Sequence, residues 1–122
     1  MKIEFHRVTA FIAVVLISVA VSEGARTRSL DEDAALALLE RTIKHDHVYE
    51  KRISMDCIAY GTEETTNAYF EFVLREVHNA KCGGDPETSP AIDRYRVYRH
   101  SDKIQHWEAA EDKWQPYRPP AN

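Results

Sequence analysis

The hydrophobic period of this chain changes once. Between Leu30 and His45 the apolar residues recur at helical spacing, with Leu36, Leu39 and Ile43 on one face and Ala35 and Leu38 beside them. From Arg52 onward the spacing is two, the period of a half-buried strand. One amphipathic helix followed by several alternating segments can bury its apolar stripe only against a sheet face, which restricts the chain to the α+β class.

Ser29-Leu30-Asp31-Glu32 reads as a capping box, with Ser29 capping the first turn and Glu32 reaching back from three residues on. Asp31, Glu32 and Asp33 suit the positive end of the helix dipole, and Lys44 and His45 suit the other. Four strands are expected to follow. Arg52–Tyr60 places Ile53, Met55, Cys57 and Ala59 on one side, and Gly61–Asn67 supplies turn chemistry. Ala68–His78 sets Phe70, Phe72 and Leu74 against Tyr69, Glu71, Val73 and Arg75. Ile92–Arg99 alternates Tyr95 and Val97 with Arg94 and Arg96, and Ser101-Asp102 turns into Lys103–Ala109. From Glu111 the chain carries Trp114, Tyr117, Pro116, Pro119 and Pro120, and residues 115–122 are expected to fray as a flexible tail. The predicted fold is an N-terminal helix packed on a four-stranded antiparallel meander, a single domain over residues 30–114.

The first residues bear on the compartment. Met1–Arg7 carries Lys2 and Arg7 against Glu4, and Val8–Val21 is an apolar run too short to span a bilayer comfortably. Ala20-x-Ser22 and Ser22-x-Gly24 both fit a small-x-small cleavage site. Residues 1–22 therefore read as a signal peptide and 23–29 as a short linker, with an uncleaved N-terminal anchor as the alternative. The expected product is secreted or periplasmic, with no membrane span after cleavage. Removing residues 1–22 takes the net charge from −4 to −5. An acidic exported domain is poorly suited to nucleic acid, whose phosphates demand clustered cations.

Cys57 and Cys82 are the only cysteines. In an oxidising compartment two cysteines usually pair. Two thiolates holding zinc would need two further ligands, and no second Cys-x-x-Cys or His pair stands at the usual spacing. A disulfide is the expected outcome, with metal binding or an intermolecular bridge as alternatives. A hairpin centred on Glu64 would set Cys57 opposite about Glu71. The segment after strand two must then fold back over the sheet to bring the cysteine Cα atoms within about 7 Å.

The stretch from His78 to Pro90 has the most unusual composition. Gly83 and Gly84 admit positive φ, Asp85 can accept bonds from the backbone two residues on, and Pro86 and Pro90 restrict what precedes them. Such chemistry builds a rigid loop. The run His-Asn-x-x-Cys-Gly-Gly-Asp-Pro-x-Thr-x-Pro, then an Arg/Tyr-rich strand and Lys-Ile-x-x-Trp, resembles small secreted or periplasmic bacterial proteins over about Asp56–Trp114. The order of helix and meander is similar to PepSY-like and cystatin-like modules. That resemblance implies a protein that inhibits or binds rather than catalyses.

Two surfaces are candidates for such binding. The loop would offer His78, Asn79, Lys81, Gly83, Gly84 and Asp85 to a partner's cleft, or else act only as a stapled crossover. Arg94, Arg96 and Tyr98, with Lys103 and His106 nearby, form a basic-aromatic strip. That strip is either a solvated sheet face balanced by cross-strand acids such as Glu71, or a docking surface for an acidic partner or a glycan. His45-x-His47 invites a metal, but His45 suits the helix C-terminus, and His100 and His106 read as exposed turn residues. No metal, cofactor or catalytic residue is expected, since no Ser, Cys or Thr has a nucleophile's setting and Glu63-Glu64 fall in a turn. The expected function is that of an exported, non-enzymatic protein binding a protein partner of the cell envelope, as an inhibitor or immunity-type protein of an envelope enzyme. The alternative is a small-molecule or peptidoglycan-binding module with a pocket of Tyr69, Tyr95 and Trp107.

Overall fold

Phe70, Phe72 and Leu74 point to one side of their strand and are buried there, as their alternation requires. The computed structural model describes residues 28–121, so the expected signal peptide and most of the linker lie outside the described residues. Helix α1 (Glu32–His45) precedes β1 (Ile58–Thr65), β2 (Tyr69–Glu76), β3 (Ala91–Tyr98), β4 (Ile104–Glu108) and β5 (Lys113–Pro116). All neighbouring strands are antiparallel and lie side by side in chain order. The helix rests on β2 and β3. Ala35, Leu39 and Ile43 bury its stripe against Phe70, Phe72, Leu74, Tyr95 and Val97. Leu36 and Leu38 flank that seam, half-buried. No helix among the described residues is long and apolar enough to cross a membrane.

The helix starts at a different cap from the one expected. Asp31, not Ser29, is the N-cap, and its Oδ1 accepts from the Ala34 amide at 2.8 Å. Leu30 donates its amide to the Arg99 carbonyl at 2.8 Å, which ties the chain to the β3–β4 corner before it can turn helical. Glu32, expected to close the capping box, instead accepts from the Thr62 hydroxyl of β1 at 2.5 Å.

The first strand also moves. Residues 52–57 do not form a strand: Tyr49 accepts from the amides of Arg52 and Ile53, and Met55–Cys57 is a short 3-10 helix. That turn shifts the phase by one, so Ile58 and Tyr60 face the core and Ala59 is exposed. Strand β1 then runs through the segment expected to be a turn. The hairpin closes on Thr66, whose Oγ1 accepts from the amides of Ala68 and Tyr69 at 3.1 and 3.0 Å.

The sheet has five strands where four were expected. Lys113–Pro116 pairs with β4, and Trp114 lies opposite Trp107. Pro116 is tolerated because β5 is an edge strand, where one side of the backbone needs no ladder partner. The start of the expected tail is tied down as well: Tyr117 packs on the core and donates its hydroxyl to Asp46 Oδ2 at 2.7 Å, while residues 118–121 are exposed.

Candidate functional site

The loop is built from the end of the β1–β2 ladder outward. Ile58 pairs with Glu76, and the Val77 amide donates to the Cys57 carbonyl at 2.8 Å, so Cys57 sits at the mouth of the loop. The chain reverses between Asn79 and Gly83, whose amide donates to the Asn79 carbonyl at 2.8 Å. This reversal sets Cys82 beside Cys57, with a disulfide across a Cα–Cα distance of 5.6 Å. The hairpin register makes the crossover short: the loop curls at the end of the sheet and does not fold over its face.

Much of the loop's polar chemistry, though exposed, is spent on bonds within the loop. Asn79 Oδ1 accepts from the amides of Lys81 and Cys82 at 3.0 and 2.8 Å, and Asp85 Oδ1 accepts from the Glu87 amide at 3.0 Å. His78 lies under the loop, with Nδ1 2.9 Å from the Asp85 carbonyl oxygen and Nε2 2.7 Å from Glu76 Oε2. Gly84 has φ +81°, and a Cβ there would come within 2.5 Å of the His78 ring, so only glycine fits. Ser89 Oγ donates to the Glu76 carbonyl, and Arg75 Nη1 donates to the Ser89 carbonyl, pinning the return limb to β2. Lys81 faces solvent, where it approaches Asp56 at 3.3 Å.

Arg94 and Arg96 stand on the sheet face away from the helix. Arg96 Nε donates to Glu71 Oε2 at 3.0 Å, and its guanidinium lies 4.3 Å from the Tyr69 ring and 4.1 Å from the Trp114 ring. Arg94 Nε donates to Glu63 Oε2 at 2.8 Å, and that guanidinium holds the Glu63 carboxyl below its usual range. Glu63 also approaches Arg75 at 3.8 Å, which links this ladder to the root of the loop. The basic strip is thus balanced by cross-strand acids, Glu71 among them. His106 does not belong to it. It pairs with Tyr95 in register and so lies on the helix side. Tyr69 and Trp107 therefore share the open face while Tyr95 is in the core, and these three line no common pocket.

Sequence reasoning missed a polar chain under the sheet. Tyr49 donates to Asp93 Oδ2 at 2.5 Å, the Tyr49 and Tyr95 hydroxyls are 2.6 Å apart, and His106 Nε2 lies 3.0 Å from Asp93 Oδ1. Burial pushes the Asp93 carboxyl up, but the bonds from His106 and Tyr49 outweigh it and leave it below the ordinary value. Burial raises both tyrosines, so they remain neutral donors. The signal was present: Asp93 has the parity of Tyr95 and Val97, the buried side of β3. Strands β3 and β4 pair only over Tyr95–Val97, and where they part a cleft of about 200 Å³ is lined by Ile92, Asp93, Arg94 and Trp107. Asp93 can orient His106, but no serine, threonine or cysteine bonds to that imidazole among the described residues. Tyr60 has the one buried side-chain polar atom without a partner there, and burial, with Glu40 adding to it, pushes its hydroxyl up to about 12.

Fold and site together define a disulfide-stapled α+β protein whose helix covers one side of a five-stranded meander. No family model matches this chain, and no curated protein or solved structure matches it.

Proposed function

We propose that this is an exported, non-enzymatic binding protein that engages a protein partner of the cell envelope through the stapled loop, as an inhibitor or immunity-type protein of an envelope enzyme. One observation carries the reading. Every residue from Asn79 to Ala91 except Cys82 is exposed, yet Asn79 and Asp85 are bonded within the loop. A connector needs only reach. A loop ordered before contact loses little conformational freedom on binding, which is what a recognition element requires. The disulfide fits an oxidising compartment.

The test is capture from envelope extract by the oxidised protein and two double variants. Lys81→Ala with Glu87→Ala keeps stability within about 0.5 kcal/mol and loses capture. Arg94→Ala with Arg96→Ala retains capture at a cost in stability, because it breaks the pairs with Glu63 and Glu71. The opposite pattern moves the site to the open face.

A second reading, a glycan or small-molecule module of the envelope, draws on that face. Tyr69, Tyr98, Trp107 and Trp114 are half-buried there, Arg96 lies against the Tyr69 and Trp114 rings, and Trp107 and Trp114 meet edge-on at 5.4 Å. Quenching of their fluorescence by soluble peptidoglycan fragments, with no loop-dependent capture, favours this reading.

A further inference from the structure

Each ring nitrogen of His78 faces an atom that can only accept, and Nδ1 also lies 3.0 Å from the Thr88 hydroxyl. Nδ1 lies 2.9 Å from the Asp85 carbonyl oxygen and Nε2 lies 2.7 Å from a carboxylate oxygen of Glu76. A neutral imidazole has one N–H, so it satisfies one of these contacts and turns a lone pair on the other. The imidazolium donates to both. The ring is only 13% exposed, and the Gly84 backbone lies against it. The charged groups that bear on it are Glu76, from the end of β2, and Asp85, from the loop, both acids.

Thr88 supplies an alternative bond for the neutral ring. Its Oγ1 is 3.1 Å from the Asp85 carbonyl oxygen and 3.0 Å from His78 Nδ1. Beside the imidazolium, the hydroxyl donates to the Asp85 carbonyl, which also receives His78 Nδ1 and the Thr88 amide at 3.0 Å. Beside a neutral ring protonated at Nε2, the hydroxyl turns to Nδ1. The carbonyl then keeps the amide alone.

We infer that protonated His78 latches the Cys82–Pro90 loop to the end of β2 through the Asp85 carbonyl, and that losing this proton passes the contact to the Thr88 hydroxyl and leaves the Asp85–Thr88 turn one hydrogen bond looser. The latch deepens the proposed function, and rests on it for one consequence: binding through the loop weakens as the solution becomes alkaline. The Glu76 bond, followed by that to the Asp85 carbonyl, holds the His78 proton above the ordinary value of 6.5. The charged form of the latch is therefore complete below 6.5 and gives way to the looser neutral arrangement as pH rises through the higher folded-state value.

The experiment is an NMR titration of the oxidised protein over roughly pH 5 to 9, the range in which histidines change charge. The His78 ring is expected to titrate above 6.5, and the amides of Gly84, Asp85, Glu87 and Thr88 to shift with the same midpoint. Glu76→Gln, at a half-exposed position, returns the midpoint toward 6.5 and takes the loop amides with it. A His78 midpoint at or below 6.5, or loop amides that ignore it, overturns the latch. The titration needs no partner, so a failed capture counts against the proposed function alone.

Discussion

Ser29 and Asp31 both carry N-cap chemistry, and the choice between them depends on a residue far along the chain. Leu30 is held extended by the Arg99 carbonyl, so the helix can begin only after Asp31. Asp31→Ala should therefore cost about 1 kcal/mol by stranding the Ala34 amide, while Ser29→Ala should stay within about 0.5 kcal/mol. Urea midpoints of the two variants decide the matter, and equal losses would place the cap elsewhere. Asp93 carries a different test. Its folded-state pKa lies below the unfolded value of 3.8, so its contribution is complete above 3.8 and is lost as pH falls through the lower folded value. Asp93→Asn should cost about 1–3 kcal/mol near neutral pH. It should also show a shallower loss of stability in acid than the parent protein, read from urea midpoints in a pH series.

Strands declare themselves in a sequence when alternation and burial agree. Phe70, Phe72 and Leu74 in β2 and Tyr95 and Val97 in β3 satisfy both, and these strands lie within two residues of the expected bounds. Alternation misled at Ile53, Met55 and Cys57, because a turn that starts at His47, with φ 54°, wraps these residues against the core without pairing them. Prolines misled at β5, where the edge position makes a missing amide harmless. In the candidate site, the Cys57–Cys82 bridge and the Glu71–Arg96 pair were legible from spacing and type. The bracing role of His78 was not, since it depends on where the loop reverses. The staple gives the element its test. The bridge spans a sequence separation of 25 residues, for which chain entropy predicts a stabilisation of roughly 3 kcal/mol. Reduction should lower the melting temperature by more than about 10 °C, and thiol labelling of the oxidised protein should find no free cysteine.

Across the whole molecule, the sheet and the helix make different demands on the chain. Every strand pairs with its sequence neighbour, so each hairpin can close without waiting for a distant segment. The longest closures join the helical end to the later part of the chain: Leu30 to Arg99, Tyr49 to Asp93 and Tyr95, and Asp46 to Tyr117. Loop closure is slow relative to local pairing, which orders the events in time. The expected order is that hairpins zip first and the helical end docks on a sheet already formed. Tyr117→Phe removes a bond across a sequence separation of 71 residues, worth about 1 kcal/mol. It should speed unfolding by roughly fivefold and leave the refolding rate unchanged, the kinetic mark of a contact made after the barrier. On that outcome the Asp46–Tyr117 bond lengthens the life of the folded molecule once made, without a say in how quickly it forms.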